Sequence, residues 1–347
     1  MIASHATMRR EIALQPAMLR SAIPELRKSA AGFSWPRPPG RIVFCGCGDS
    51  LTAAGLIAGP RRRTDERMLV VSAQEASSYL QLSRDDVVVT ASVSGTTAAT
   101  IAAAVAARQA GARCCAVTAA PASPLGREAD HVVILPYRPV SRDTPHSLDF
   151  TMTVAALLAV KEAASGEALG LDRLPVLAER TLALPDADVE ASAQPWSPTA
   201  CLYVMGAGPG LATARYIVAK FHEAFGCSAI ACELEDVAHG QHLAFRSGDM
   251  ALLLALDPPA AARVAHLRPG LRQIGLRTVV IGGEGLSDIG IVADQGWPMQ
   301  LAAAIIGQRL CLLAAERHGL PVTWPADAPQ ILAQRGWSAP TTRSDGA

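Results

Sequence analysis

Hydroxyl side chains crowd the junction between an apolar run and an alanine-rich helix. In "VVVTASVSGTTAATIAAAVAARQAG", residues 87–111, this junction holds Ser92, Ser94, Thr96 and Thr97. The start of a helix presents unpaired backbone N–H groups and the positive end of the helix dipole. Small hydroxyls can donate to the oxygens of an anion there without adding bulk. The stretch therefore predicts an anion site, for which phosphate is the natural ligand.

A helix N-cap is the alternative interpretation of these residues, but capping needs only one hydroxyl. The chain offers an internal comparison, because a second segment has the same order of strand, turn and helix. Its equivalent stretch is "LLALDPPAAA", with Asp257, Pro258 and Pro259 in place of the hydroxyls and the glycine. Since that copy of the fold does without the cluster, we interpret the cluster as serving a ligand.

The repeat extends to the first strand of each half. "RIVFCGCGDSLTAAGLIAG" and "CLYVMGAGPGLATARYIVAK" each pass from strand-forming residues through Gly-x-Gly into an apolar-periodic helix. Gly46 and Gly48 recur as Gly206 and Gly208. Neither copy completes Gly-x-Gly-x-x-Gly, the pattern of dinucleotide-binding turns. We therefore expect no nicotinamide or flavin site and no other cofactor.

The elements that must position these residues are strands alternating with helices. Because the strands are nearly continuous apolar runs, they indicate parallel sheets covered on both faces. The sequence predicts an α/β protein of two tandem αβα sandwiches, flavodoxin-like with parallel sheets, each with its own core. The predicted parts are a helical segment at 1–38, a first domain at 39–182, a linker at 183–199, a second domain at 200–337 and a disordered tail at 338–347.

Composition limits the possible partners. Lys+Arg and Asp+Glu both count 31, so no global field attracts nucleic acid or an anionic membrane. The N-terminal residues lack the apolar core of a signal peptide, and no run reaches the roughly 18 apolar residues of a membrane span. We expect a cytoplasmic protein. The eight cysteines form no Cys-x-x-Cys pair, and we interpret them as buried thiols.

The second half contains ionisable residues at helical spacing. "YIVAKFHEAFG" is typical of a helix, on which Lys220 and Glu223 are three residues apart and share a face. The pair is either a solvated ion pair or a site where a carboxylate with a raised pKa moves a proton between carbons. His239 and His242 have a His-x-x-His spacing, but no third ligand accompanies them, so we expect no metal.

Several stretches together resemble proteins with two sugar isomerase (SIS) domains. They are "MRREIALQPAMLR", "FCGCGDS", "SVSGTTAAT", "AKFHEAFGCSAIACELEDVAHGQ" and "DAPQILAQ". The chain is similar to the isomerase part of glucosamine-6-phosphate synthase and to stand-alone amino-sugar-phosphate deaminases. The resemblance implies a homodimer that binds a phosphosugar, with a histidine of one subunit reaching the neighbour's site. The implied phosphate-binding residues are Ser50, Ser92, Ser94 and Thr97, and the implied catalytic residues are Glu223, Lys220 and His239.

The predicted substrate site departs from the family pattern beside Gly48 and in three other places. Asp49 stands where the family usually has threonine, so a negative charge would face the phosphate unless a cation compensates. Val93 replaces a glutamine and removes a hydrogen-bond donor. Gln334 matches a lysine associated with ring opening, and it cannot act as an acid. In "RDTPHSLDFTMT", His146 and Asp149 are polar groups that the usual lid sequence does not have.

Two functions remain open from the sequence. The first is an enzyme that transfers a proton between C1 and C2 of a sugar phosphate or amino-sugar phosphate, as an isomerase or a deaminase, on an unusual substrate. The glutaminase domain of the synthase has no counterpart here, so we do not expect glutamine as nitrogen donor. The alternative is a sensor that binds a sugar phosphate without catalysis, as the replacement of lysine by Gln334 permits.

Overall fold

A computed structural model describes residues 2–36, 40–58, 67–193, 197–283 and 285–323. Gln334 and the predicted tail at 338–347 lie outside the described residues. The chain begins with a 29-residue helix, α1 (Ala3–Ala31). Two α/β units follow, joined by further helices.

The first unit is a five-stranded parallel sheet in the order β2-β1-β3-β4-β5. Its strands are β1 (Ile42–Gly46), β2 (Met68–Ser72), β3 (Val87–Ala91), β4 (Arg113–Thr118) and β5 (His131–Ile134). Its helices are α2 (Asp49–Ala58), α3 (Ala73–Ser78), α4 (Ala98–Gln109), α5 (Pro124–Glu128) and α6 (Leu148–Ser165). This strand order is the flavodoxin-like one.

The second unit repeats that topology in the order β7-β6-β8-β9-β10, again with all strands parallel. Its strands are β6 (Leu202–Gly206), β7 (Ala229–Glu233), β8 (Met250–Ala255), β9 (Arg277–Gly282) and β10 (Ile289–Gly290). Its helices are α9 (Pro209–Phe225), α10 (Leu234–Ala238), α11 (Pro258–Ile274) and α12 (Trp297–His318). The predicted fold class is confirmed.

Alternate residues of each strand enter different cores. In β1, Ile42 and Phe44 pack into the central core, whereas Val43 and Cys45 pack under α3 and α4. β6 behaves in the same way, because Leu202 and Val204 face the centre. The central core is continuous between the two sheets and includes α1, α2, α6, α7 (Leu174–Leu182), α9 and α12. The prediction of a separate core for each half was therefore wrong on this face, where both sheets cover one shared layer of helices.

The connection between the units is largely helical. It contains α7 (Leu174–Leu182) and α8 (Asp186–Ala193), and α8 lies inside the segment that the sequence predicts to be a linker. Two aspartates in the first turn of α8 suit the positive end of its dipole. Val189 of this helix is 1% exposed and belongs to the central core. The predicted linker is thus helical over these eight residues.

Helix α12 lies at the centre of the molecule. By length and apolar composition alone it could cross a membrane, and 94% of its apolar window is buried inside the protein. In the sequence this helix does not stand out as one long apolar run, because Gln300, Gln308 and Arg309 interrupt it. All three polar side chains are buried and bonded within the protein.

Candidate active site

The loops after β1 and β3 lie side by side at the carboxyl edge of the first sheet. β1 and β3 are neighbours, although β2 lies between them in sequence, so the chain changes direction across the sheet here. Ligands of open α/β sheets bind in the crevice at such a point. The loop after β1 supplies Asp49 and Ser50, and the loop after β3 supplies residues 92–97, which we call the hydroxyl loop.

Hydrogen bonds within the hydroxyl loop fix its shape. The hydroxyls of Ser92 and Thr97 are 3.0 Å apart, and the N–H of Gly95 donates to Ser92 Oγ at 3.2 Å. Gly95 has a φ of +66°, and a Cβ there would lie 2.0 Å from Ser123 Oγ. Only glycine fits this turn. No side chain of the described residues caps α4, although Thr97 holds the N-cap position.

The equivalent helix start in the second unit is closed. There the carboxylate of Asp257 accepts a hydrogen bond from the N–H of Ala260 at 2.8 Å, so α11 has its own side-chain cap. The two units therefore differ as their sequences do. The start of α4 can receive hydrogen-bond acceptors from a ligand, whereas the start of α11 already has one.

A cavity of about 210 Å³ opens beside the hydroxyl loop. Three parts of the first unit form its wall: the start of α2, the hydroxyl loop and the segment before and within α6. The lining residues are Cys47, Asp49, Ser50, Ala91, Ser92, Val93, Ser94, Thr97, Arg142, His146, Asp149, Phe150 and Thr153. Most of the predicted substrate-binding residues thus meet in one place. Gly48, which has a φ of +51°, forms the turn between Cys47 and Asp49.

A buried lysine from the second unit compensates Asp49. Lys220 Nζ donates to Asp49 Oδ2 and to Glu223 Oε2, each at 2.6 Å. The Lys220 side chain is 0% exposed, and the side chains of Asp49 and Glu223 are 22% and 19% exposed. The negative charge at Asp49 therefore does not face the cavity uncompensated, as the sequence left possible. Lys220 and Glu223 form an ion pair, but it is buried and not solvated.

Burial controls the protonation of Glu223. Its surroundings raise the pKa of Glu223 to about 7, because burial and the charge of Asp49 outweigh the attraction of Lys220 and a hydrogen bond from the backbone N–H of His146. A carboxyl group with this pKa exchanges protons near neutrality. Glu223 does not line the cavity, and it lies behind the Asp49 and His146 that do.

The segment before α6 contributes a second group of ionisable residues. Asp149 accepts hydrogen bonds from the phenol of Tyr137 and from Arg142 Nη1, the latter at 2.9 Å. His146 Nδ1 lies 3.4 Å from Asp149 Oδ2. Burial and the charge of Asp149 raise the pKa of Tyr137 above its usual range, so this phenol remains protonated. From the sequence, His146 and Asp149 are recognisable only as departures from the lid pattern, which assigns them no role.

Buried polar side chains support this segment from below. Gln308 donates to the phenol oxygen of Tyr216 at 2.8 Å, and its own oxygen accepts from Gln15 at the same distance. Thr151 donates to Gln15, which connects α6 to α1. Tyr216 stacks on Phe150 with ring centroids 3.6 Å apart. This network is not predictable from the sequence, because a polar residue within a helix gives no local sign that it is buried.

His239 lies away from the cavity in the single chain. It follows α10, its side chain is 71% exposed, and its Nε2 lies 3.1 Å from Glu235 Oε1. The described residues contain no group of three potential metal ligands that could hold an ion. His242 is hydrogen-bonded through Nδ1 to the carbonyl of Val237 at 2.9 Å.

Comparison with known proteins gives a family for the first unit. Residues 37–164, which contain the hydroxyl loop and the cavity wall, match the family model of the SIS domain. A comparison of the sequence with curated proteins finds no match. The family match and the shared fold described next confirm the similarity to SIS proteins that the motifs predicted.

The fold is shared with several solved structures. A glucosamine-6-phosphate deaminase from Thermotoga maritima has a TM-score of 0.75 and 16% identity, over 92% of this chain and 98% of that one. A tagatose-6-phosphate ketose/aldose isomerase from Escherichia coli has a TM-score of 0.77 and 18% identity, over 92% and 97%. The C-terminal domain of a glucosamine-fructose-6-phosphate aminotransferase from Francisella tularensis has a TM-score of 0.70 and 16% identity, over 92% and 98%.

Proposed function

We propose that this chain, which carries a SIS domain at residues 37–164, is an enzyme that acts on a phosphorylated sugar or amino sugar. The proposed reaction is proton transfer between C1 and C2, as aldose–ketose isomerisation or as deamination. One observation carries the proposal: Lys220 links Glu223, a carboxyl group with a pKa of about 7, to Asp49 in the cavity wall. The solved structures of similar fold include enzymes named for these two reactions.

The phosphate is proposed to occupy the cavity. The uncapped start of α4 and the hydroxyls of Ser50, Ser92, Ser94 and Thr97 supply donors. Arg142 supplies a positive charge, since it lines the cavity and its side chain is 53% exposed. Val93 contributes no side-chain donor, and its carbonyl is already bonded to Thr118 Oγ1 at 3.1 Å. The remaining donors are enough for one phosphate group.

Glu223 is proposed to take and return the carbon-bound proton. Lys220 links it to Asp49 in the cavity wall, so the carbon chain of the sugar would extend from the cavity past Asp49 toward it. Lys220 keeps Asp49 and Glu223 together and limits the rise of the Glu223 pKa. A site that only binds phosphate does not need this buried base.

A homodimer is part of the proposal, because His239 cannot take part in the single chain. Its exposed ring is free to approach the cavity of a second copy, where it would open the sugar ring. We propose a cytoplasmic enzyme with a small-molecule substrate and no membrane or nucleic-acid partner, which the equal numbers of acidic and basic residues support. Light scattering tests the dimer: a monomer would exclude a role for His239 in a neighbouring site.

The test is turnover of a panel of hexose and amino-hexose 6-phosphates by the wild type and by Glu223→Gln. The variant keeps the shape and the phosphate-binding residues, so we expect similar stabilisation by substrate and a turnover reduced about 10²–10⁴-fold. Glu179→Gln removes an exposed carboxylate bonded to Arg20 and serves as control. Unchanged turnover in Glu223→Gln would refute the assignment. Ligand-raised melting without product in the wild type would support a sensor.

A further inference from the structure

Enolisation needs a second group that exchanges protons with the sugar oxygens while the base works on carbon. The sequence offers Gln334 where the family has a lysine, and an amide cannot supply that proton. Among the residues that line the cavity, His146 is the only one whose usual pKa allows it to act as both acid and base near neutrality. Its position relative to Glu223 decides whether it can act with that base.

The backbone of His146 lies close to the lysine that holds the proposed base. Its carbonyl accepts from Lys220 Nζ and from the phenol of Tyr216, each at 3.4 Å, and its N–H lowers the pKa of Glu223. His146 and Asp49 both line the cavity, and Lys220 bonds to Asp49, to Glu223 and to the carbonyl of His146. A sugar whose phosphate is bound at the hydroxyl loop would have its first carbons near these residues.

The ring of His146 lies beside Asp149. Nδ1 is buried, lies 3.4 Å from Asp149 Oδ2, and has no hydrogen-bond partner among the described residues. A short rotation would align it with that carboxylate, and such bonds are often long before a substrate binds. A proton on Nδ1 directed at Asp149 leaves Nε2 to act on the ligand. The side chain of His146 is 23% exposed, and it forms part of the cavity wall.

We propose that His146, oriented by Asp149, is the acid and base that acts on the substrate oxygens during the reaction of Glu223. This rests on the proposed function. Glu223 takes the proton from the carbon beside the carbonyl, the C–H electron pair forms the C=C bond, and the carbonyl oxygen takes the Nε2 proton of the imidazolium. The neutral ring then takes the proton of the neighbouring hydroxyl, while Glu223 returns its proton to the former carbonyl carbon. Both groups regain their initial state, so no co-reactant is needed.

The charges around His146 allow both protonation states. Burial lowers the pKa of His146, as do the positive charges of Lys220 on α9 and Arg142 on the same loop. The carboxylates of Asp149 on α6 and Asp49 on α2 oppose this effect. Glu223 on α9 accepts its backbone N–H. A bound phosphate dianion adds negative charge to the same cavity, which favours the imidazolium when the substrate is present.

The experiment measures exchange of substrate hydrogen with deuterium from ²H₂O by ¹H NMR, with fructose 6-phosphate and glucosamine 6-phosphate as probes. The wild type, His146→Gln and His239→Gln are compared, and binding of inorganic phosphate is measured by calorimetry for each. We expect His146→Gln to lower the exchange rate at least about 100-fold and to change the phosphate Kd less than about 3-fold. The kcat/KM of His146→Gln should also lack one of the ionisations of the wild type, which a purely structural change would not remove.

The outcomes separate this proposal from the function on which it rests. If the wild type exchanges neither probe, the proposed function fails for these sugars and the role of His146 fails with it. If the wild type exchanges a probe and His146→Gln matches it within about 3-fold, only the role of His146 is overturned. If His146→Gln loses phosphate binding as strongly as it loses exchange, the role of His146 is also overturned, because the residue would then act only by keeping the shape of the cavity. Loss of exchange in His239→Gln alone would assign the oxygen chemistry to the partner's His239.

Discussion

Lys220 is the residue on which the site depends, because one buried cation serves two carboxylates. Its side chain is 0% exposed, and its ammonium donates to both Asp49 and Glu223. Each carboxylate is stabilised only while the cation is present, since charges removed from water need a partner. The same ammonium lies 5.1 Å from the centre of the Tyr216 ring, where the aromatic face adds attraction.

We expect Lys220→Met to lower the free energy of unfolding by about 3–5 kcal/mol at pH 8, because two carboxylates then face each other without a cation. The loss should be smaller at pH 5, where Glu223, with a pKa already raised to about 7, takes up a proton. Urea denaturation at the two pH values measures both effects. The double variant Lys220→Met/Glu223→Gln removes one of the opposed charges and should regain part of the loss. Equal losses at both pH values would contradict the charge argument.

Arg142 should determine how tightly the phosphate is held. It lines the cavity and is bonded to Asp149, so it can share its guanidinium with an incoming anion. A charge-assisted hydrogen bond is worth about 1.5–3 kcal/mol, so Arg142→Ala should raise the Kd for inorganic phosphate roughly 10-fold or more. Arg173→Ala breaks an exposed Arg–Asp pair elsewhere and should leave that Kd unchanged. Calorimetry measures both Kd values. If the two substitutions weaken phosphate binding equally, Arg142 has no specific role in binding phosphate.

At the residue scale, local sequence identified donors better than it identified charge pairs. Crowded hydroxyls before a helix are a contiguous pattern, so the hydroxyl loop could be recognised directly. The partner of Asp49 could not, because Lys220 is 171 positions away and meets it only when α2 packs on α9. His146 looked like a departure from a lid sequence, since its link to Glu223 runs through a backbone N–H that no side-chain pattern reveals.

At the scale of elements, the close contact of α2 with α9 sets the distance between the proposed phosphate site and Glu223, the proposed base. Gly55 on α2 faces Ala212 on α9, and a Cβ at Gly55 would lie 2.7 Å from that of Ala212. Neither side can yield by rotating a side chain. The contact therefore keeps the start of α2, with Asp49, within reach of Lys220.

We expect Gly55→Ala to separate the two helices and to lower both stability and turnover. Overpacking of this kind costs about 1–3 kcal/mol, and a shift of about 1 Å in a positioned group can reduce turnover about 100-fold. Gly270→Ala on α11 is the matched control, because a Cβ there meets nothing within 4 Å. That substitution should raise stability by about 0.5–1 kcal/mol, as alanine does within helices. Denaturation and turnover are measured for both, and a harmless Gly55→Ala would show that the contact does not set the geometry.

The order of helices and strands was predictable wherever the hydrophobic periodicity and the internal repeat of the sequence indicated the same element. The strands are continuous apolar runs and the repeated Gly-x-Gly turns mark where helices begin, so the sheets followed from the sequence. Helix α8 was not recognised, because Pro185 and Pro195 on either side of it suggested a linker. What stabilises α8 is the burial of Val189 in the central core, which is a tertiary effect.

At the scale of the molecule, one helical layer between two sheets carries both the core and the polar groups of the site. Asp149 and Glu11 are 5% and 0% exposed within this layer, so two further carboxyl groups lie close to the Lys220 cluster. Burial of acids on this scale connects protonation to stability. The sequence could not reveal it, since the net charge of the whole chain is +0.

Glu11 offers a direct test of that connection. Burial, followed by the charge of Asp149, raises the pKa of Glu11 to about 7, while the unfolded chain has a pKa near 4.5. Between these values the folded protein holds a proton that the unfolded chain releases. The stabilising contribution is therefore complete below about pH 4.5 and is lost as the pH rises through about 7.

We expect Glu11→Gln to flatten the decline in unfolding free energy between pH 5 and pH 8 by up to about 3 kcal/mol, because the amide does not titrate. The Ser147 hydroxyl, 3.3 Å from Glu11 Oε2, can still donate to the amide oxygen, so this hydrogen bond is kept. Urea denaturation at several pH values measures the slope, and Glu25→Gln on the exposed side of the same helix is the control. A decline as steep as that of the wild type would mean that Glu11 is ionised in the folded protein. The pH dependence of stability that a raised carboxyl pKa causes would then have to come from Glu223 and not from Glu11.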